Sequence, residues 1–170
     1  MTIIPADPKP MRRDASGEVK RDLIWNPPTG HDGGNEFKAI HPENHVYISS
    51  MQVWTHKTGL GDEVVKAIEL IWSTGQSRRY GHPKGDSHIT TFQRSERITK
   101  MRICSGDWVD SIYYESKTAP TWRVGGSGGI PHDQDTGNGV FVGFWGRSGG
   151  DIDKLGSVFG APREQTRDMR

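Results

Sequence analysis

Two segments of the chain, RITKMRICSGDWVDSI (97–112) and VFVGFWGRSGGDIDKL (140–155), align without a gap. Ile98 then meets Phe141, Met101 meets Phe144, Ser105-Gly106 falls on Ser148-Gly149, Val109-Asp110 on Ile152-Asp153, and Ile112 on Leu155. A looser third copy, YISSMQV (47–53) followed by GDEVVKAIEL (61–70), keeps the order of strand, glycine loop and strand with extra residues between. Units this short cannot bury an apolar face alone, so the copies must bury one face together. The repeat therefore predicts a sheet structure with threefold pseudo-symmetry. A glycine-bearing stretch is available to each copy: Gly33-Gly34, His82-Pro83-Lys84-Gly85 and Gly125-Gly126-Ser127-Gly128-Gly129.

Local chemistry agrees with strands. The 22 glycines and 10 prolines are scattered between short apolar bursts, and the mean hydropathy is −0.72, a pattern of many short strands and turns. An all-β chain is expected. GDEVVKAIELIW has a helical look, but β-branched Val64, Val65, Ile68 and Ile71 and the Ser-Thr-Gly turn that follows favour a strand. Between Arg97 and Ile103 strict alternation would put Ile98 and Ile103 on opposite faces, so a β-bulge is expected there. Residues 1–22 are polar, charged and Pro-bearing and are expected to form a flexible arm, with the domain at 23–160 and an unpacked tail at 161–170. The first strand should lie near Leu23-Ile24-Trp25.

Lys and Arg number 22 against 21 Asp and Glu, a net charge of +1. No bulk field recommends a nucleic acid or an anionic membrane, so the expected partner is neutral or locally recognised. The opening MTIIPADPKPMRRD lacks an apolar signal core, and no stretch approaches the ~20 apolar residues that span a bilayer. The expectation is no membrane insertion, and a cytoplasmic protein or one released without a signal peptide. The single cysteine, Cys104, has Met101 and Ile103 nearby and is read as a buried structural thiol.

In Gly149-Gly150-Asp151-Ile152-Asp153 the glycines permit positive φ, so successive amides can converge into a concave donor cluster. The Asp153 carboxylate places acceptors beside those donors. Two adjacent hydroxyls of a neutral polyol can each donate to the carboxylate while accepting from amides, which is the chemistry of sugar recognition. A lone copy would suit a plain turn whose aspartate bonds its own backbone. Recurrence of the aspartate at Asp110 after Gly106, each with a glycine loop available as a facing wall, shifts the reading to a site.

From about Ile24 to Phe159 the chain resembles a jacalin-related lectin domain. The residues that carry the resemblance are Gly33, Gly34 and Phe37, then ERITKM, GDWVDSIYY and the GGSGG loop. Above all, GFWGRSGGDIDKLG (143–156) is similar to that family's closing GFxGRSGxxxDxIG. The resemblance implies a β-prism of three four-stranded antiparallel sheets with threefold pseudo-symmetry, carbohydrate binding without catalysis, and no cofactor. It implies a primary sugar site in which Gly33 and Gly34 face Gly149, Gly150, Asp151, Ile152 and Asp153. There Asp153 accepts from hydroxyls and the amides of residues 150 to 152 donate. A second site is implied at Gly106, Asp107, Trp108, Val109 and Asp110, faced by Gly125 to Gly129, with Gly128 and Gly129 as its double glycine. This loop resembles Gly-x-Tyr-x-Asp loops known in the family, with Trp108 at the aromatic position. Two roles stay open for Trp108, a platform for a sugar ring or a core or rim aromatic.

The third copy departs from the pattern. Lys66 stands where the aspartate is expected and the facing HPKGD lacks a double glycine, so no sugar is expected there. The residues Gly150-Asp151-Ile152 contain no aromatic and the double glycine lies inside the chain, unlike the family's two-chain galactose binders. Mannose- or glucose-containing glycans or glycoproteins are the implied ligands. Asp151, one residue from Asp153, is expected to raise a pKa by repulsion or to weaken binding. Shallow single sites bind weakly, so avidity calls for two sites per chain, a homo-oligomer, or both.

Rival chemistries fare worse. His41-Pro42-Glu43-Asn44-His45 spaces two histidines like a helical zinc site, but Pro42 argues for a loop and no metal is expected. A glycosidase needs carboxyls on opposite sides of a bond, ~5–9.5 Å apart, whereas Asp151 and Asp153 share one loop. The surviving alternative is a non-catalytic module with this fold that binds protein for targeting or assembly.

Overall fold

The computed structural model describes residues 22–162. Those residues form thirteen strands and no helix. In chain order they are β1 (Leu23–Trp25), β2 (Thr29–Gly30), β3 (Asn35–Ile40), β4 (Ile48–Lys57), β5 (Glu63–Trp72), β6 (Ser77–Gly81) and β7 (Asp86–Thr91). There follow β8 (Ile98–Ser105), β9 (Val109–Ser116), β10 (Trp122–Gly125), β11 (Ile130–Asp133), β12 (Phe141–Ser148) and β13 (Ile152–Gly160). Three antiparallel sheets result, ordered β6-β5-β4-β7, β10-β9-β8-β11 and β1-β13-β12-β3, with β2 also on β13. The stretch GDEVVKAIELIW is a strand, as its β-branching suggests, and the first strand starts at Leu23.

The last sheet departs from four strands only in appearance. β1 pairs with residues 158–160 of β13 and β2 with residues 154–155, so the two form one edge line interrupted at Asn26-Pro27-Pro28. Prolines lack the N–H that a ladder needs and are tolerated at an edge. Asn26 bridges the gap, its side-chain amide donating to the Ser157 carbonyl at 3.2 Å and the Asp135 carbonyl at 3.0 Å.

Each copy carries two bulges at equivalent positions. The first lies early in the inner strand, where the register skips one residue at Ser49, Thr99 and Val142. The second lies early in the following strand, at Lys66, Asp110 and Asp153. Residues three apart in a regular strand face opposite ways, and an inserted residue brings them to one side. Thus Ile48/Met51, Ile98/Met101 and Phe141/Phe144 all enter a single core, as do Val65/Ile68, Val109/Ile112 and Ile152/Leu155. The bulge expected between Ile98 and Ile103 is the one at Thr99, and both isoleucines are buried. Each such side chain stabilises the fold by about 1.5–3 kcal/mol relative to exposure.

Beyond Thr99 the inward positions of β8 are Met101, Ile103 and Ser105, which turns Cys104 outward. The expected buried thiol is thereby corrected to a half-buried one. The expected arm at 1–22 and tail at 161–170 lie outside the described residues except for Asp22, Ala161 and Pro162. There the Ala161 N–H donates to the Asp22 carbonyl at 3.0 Å.

Candidate functional site

The second set of bulges places Asp153, Asp110 and Lys66 at one end of the prism, beside the turns that join β12 to β13, β8 to β9 and β4 to β5. Neighbouring copies touch here: Thr29 Oγ1 and Ser105 Oγ lie 2.5 Å apart, and Lys66 reaches the β12–β13 turn.

At Asp153 the facing loop runs from Gly30 to Gly34, whose φ angles are 136° and 67°. A side chain at Gly30 would collide with the Asp153 carbonyl, and one at Gly34 would lie 2.5 Å from the Ser148 carbonyl and 2.7 Å from Asp153 Oδ2. A methyl on Gly33 would lie 3.0 Å from Asp153 Oδ1, so the carboxylate rests against both glycines. The His31 N–H donates to the Asp153 carbonyl at 2.8 Å, and His31 Nδ1 accepts the Gly33 N–H at 2.8 Å. Arg147 fastens the loop from below the turn, Nε donating to the Gly33 carbonyl at 3.0 Å and Nη2 to the Gly34 carbonyl at 2.8 Å. Across the cup, the Gly149 N–H closes the turn on the Asp151 carbonyl at 3.0 Å. Gly150 borders open space, whereas the Ile152 side chain is in the core and offers only main chain. Among the described residues no hydrogen bond reaches the Asp153 carboxylate. Burial raises its pKa and the charge of Asp151 adds to the rise, against the opposing charges of His31, Arg147 and Lys66.

Asp110 repeats this arrangement. Gly125 and Gly129 have φ of 104° and 84°, and the Gly126 N–H donates to the Asp110 carbonyl at 2.9 Å. A methyl on Gly128 would lie 2.9 Å from Asp110 Oδ1, and one on Gly129 would press on Oδ2. Arg123 holds the loop through the carbonyls of Gly125, at 2.9 Å, and Gly126. The Gly106 N–H closes the turn on the Trp108 carbonyl at 3.0 Å. Asp110 is more deeply set than Asp153, at 7% exposed. Burial raises its pKa, opposed by the Gly106 amide and assisted by the charge of Asp62. Val109 is in the core, Asp107 is exposed, and Trp108 is 44% exposed at the rim rather than packed inside.

The third copy keeps the frame and changes the side chain. Gly81 and Gly85 have φ of 82° and 84°, and side chains there would strike the Lys66 and Thr55 carbonyls. The missing double glycine is a change at the inner position alone: both left-handed glycines remain, and Lys84 stands in place of the inner one. Their separation of four residues, Gly30/Gly34, Gly81/Gly85 and Gly125/Gly129, is a signal the sequence held and the double-glycine search passed over. Sequence reasoning also missed His31, Arg147 and Arg123, which hold the facing loops, and the reach of Lys66 to Gly150 and Asp151.

The histidine pair at 41 and 45 is engaged locally, His45 Nε2 with Glu43 at 3.3 Å and His41 Nε2 with Gln76 at 2.7 Å. No group of metal-binding residues forms among the described residues. A cavity of about 200 Å³ lies at the opposite end of the prism, bordered by His41, Tyr47, Trp72, Arg94 and Arg97.

A profile of the jacalin-like lectin domain matches residues 25–158. The chain belongs to that family. Among solved structures it is similar to a lamprey immune protein at 20% identity and a TM-score of 0.71, over 82% of this chain and 44% of that one. It is also similar to Malaysian banana lectin at 21% identity and a TM-score of 0.65, over 84% and 99% of the two chains. A further likeness is to AcmJRL, a mannose-binding jacalin-related lectin from Ananas comosus, at 18% identity and a TM-score of 0.64, over 82% and 98%. At these identities the likeness shows the fold. No curated protein matches the chain.

Proposed function

We propose that this protein is a non-catalytic lectin that binds mannose- or glucose-type glycans in two cups per chain. The first is built on Gly33, Gly34, Gly149, Gly150, Asp151, Ile152 and Asp153, the second on Gly106, Asp107, Trp108, Val109, Asp110, Gly128 and Gly129. One observation carries the reading: two bulge carboxylates in different sheets sit against paired glycines of a facing loop. Such a carboxylate can accept from two vicinal hydroxyls while turn amides donate back. The mannose-binding relative from Ananas comosus supports the ligand class. Catalysis is disfavoured by chemistry: hydrolysis needs two carboxyls on opposite sides of the bond, whereas Asp151 and Asp153 share one turn and Asp151 is bound by Lys66 at 2.5 Å. Two cups per chain, or a homo-oligomer, would supply avidity.

The test is a glycan array with wild type, Asp153→Asn, Asp110→Asn and the double variant. Each single change should lower avidity for mannose-type glycans and the double should abolish it. A correctly folded double variant that binds like wild type would defeat the assignment, and capture of a protein partner without saccharide competition would favour the targeting-module alternative.

A further inference from the structure

Lys66 holds the bulge position of the third copy, yet it serves a neighbouring copy. Its ammonium donates to the Gly150 carbonyl at 2.7 Å and to Asp151 Oδ1 at 2.5 Å, with the two side chains 16% and 28% exposed. We propose that Lys66 is the positioning residue of the first cup, clamping the 149–151 turn so that its amides face the saccharide. This rests on the reading of that cup as a sugar site and names the residue that makes it competent.

The turn has little else to hold it. A methyl added at Gly150 would meet nothing within 4 Å, and one at Gly149 would meet only the Gly34 Cα at 3.6 Å. Two consecutive glycines carry the largest backbone entropy a chain can have, so an unbraced turn would spend it on binding. The Gly149 N–H to Asp151 carbonyl bond closes the turn without fixing its direction relative to the facing loop. The lysine supplies that fixed point from another sheet, and both its bonds land on residues whose amides border the cup. Ordering the turn before ligand arrives removes a cost that binding would otherwise meet.

The same contact answers the puzzle of two aspartates one residue apart. Asp151 carries a charge that opposes ionisation of Asp153. With its carboxylate bonded to an ammonium, Asp151 repels Asp153 less, and Asp153 stays available as an acceptor. The second cup needs no such brace, because its equivalent turn carries the bulkier Asp107 and Trp108 and no acid stands at the position of Asp151. The third copy has therefore exchanged a carboxylate for a strut on the first, while its own left-handed glycines persist.

The experiment uses the Asp110→Asn chain, in which binding reports the first cup alone. In that background Lys66→Met should weaken methyl α-mannoside binding at least tenfold by calorimetry, Lys66→Arg should restore most of it, and Lys66→Met should cost far less once Asp151→Ala is present. Independently of sugar, the NMR backbone order parameters of Gly150 and Asp151 should fall in Lys66→Met and stay unchanged at Asp107 and Trp108. Asp151→Ala removes the same partner with lysine intact and serves if Lys66→Met folds poorly. Unchanged order parameters at 150–151 in a folded variant overturn the brace whatever binding does. Lowered order parameters in a chain that binds no saccharide would keep the brace and sink the lectin reading instead.

Discussion

The three left-handed glycines that close the facing loops, Gly34, Gly85 and Gly129, allow the frame to be tested separately from the chemistry. At Gly34 an alanine must hold φ near 67°, which costs an L-residue about 1–2 kcal/mol. Its methyl would also lie 2.5 Å from the Ser148 carbonyl carbon and oxygen. Those are backbone atoms of the last residue of β12, paired on both sides with Asn35 and Ile152, so the loop must shift, at about 1–3 kcal/mol for overpacking of this kind. The sum is about 3 kcal/mol, and for a chain of 170 residues each kcal/mol lowers Tm by about 2–4 °C. Gly34→Ala should therefore melt about 6–12 °C below wild type in scanning calorimetry. Gly129→Ala meets the Ser105 backbone at 2.7 Å and Gly85→Ala meets the Thr55 carbonyl, so all three should fall by similar amounts. Gly150→Ala, with ordinary φ and open space, should stay within about 0.5 kcal/mol. Saccharide binding divides the set differently, since Gly34→Ala and Gly129→Ala crowd a carboxylate and Gly85→Ala crowds none. A Gly34→Ala protein melting within 2 °C of wild type, or a Gly85→Ala protein unaffected while the other two fall, would refute the equivalence of the three frames.

Three further outcomes are expected. Both bulge carboxylates have raised pKa, and the ionised form accepts the hydroxyls, so affinity should be flat at neutral pH and fall as pH drops through those raised values. Folding responds with the opposite sign: between the ordinary and the raised pKa the native state binds more protons, so these two groups favour the fold as pH falls, and the double Asn variant should lose that gain in acid-melting curves. Trp108→Ala, at an exposed rim position, should leave Tm nearly unchanged and weaken the second cup by about 1 kcal/mol, read by titration in an Asp153→Asn chain. Asn26→Ala removes the side-chain bonds to Asp135 N, at 2.8 Å, and to the Asp135 and Ser157 carbonyls, while the Ser157 carbonyl keeps the Asn26 backbone N–H at 3.0 Å, and should cost about 1–2 kcal/mol in urea unfolding.

The repeat was legible because the core demands it. Ile98, Met101 and Ile103, like Phe141 and Phe144, are spaced by the bulge rather than by simple alternation, and the mismatch itself announced the inserted residue. The short edge strands were opaque. β7 (DSHITT) and β11 (IPHD) are almost wholly exposed, so no inside-outside pattern marks them. Around the cups the acids and double glycines could be read because they are local. The third frame hid behind His82-Pro83-Lys84, since in that loop only the first and fifth positions, Gly81 and Gly85, keep glycine. Lys66 and Asp151 are 85 residues apart, and no periodicity links them.

Packing and the proposed recognition meet at the bulge residue of two sheets, with different freedoms. In a regular strand Val65 and Ile68, Val109 and Ile112, or Ile152 and Leu155 could not both face the core, yet all six are at most 3% exposed. The bulge is therefore required by the core, whatever side chain it carries. Because the inserted residue is the one that does not enter the core, its side chain can change without disturbing the six that do. A carboxylate there gives a cup, and a lysine gives a strut to the next copy. It follows that Asp153→Asn and Asp110→Asn should leave the strand register intact. An NMR register map showing either variant with its bulge erased would mean that the carboxylate, rather than the core, holds the backbone in place.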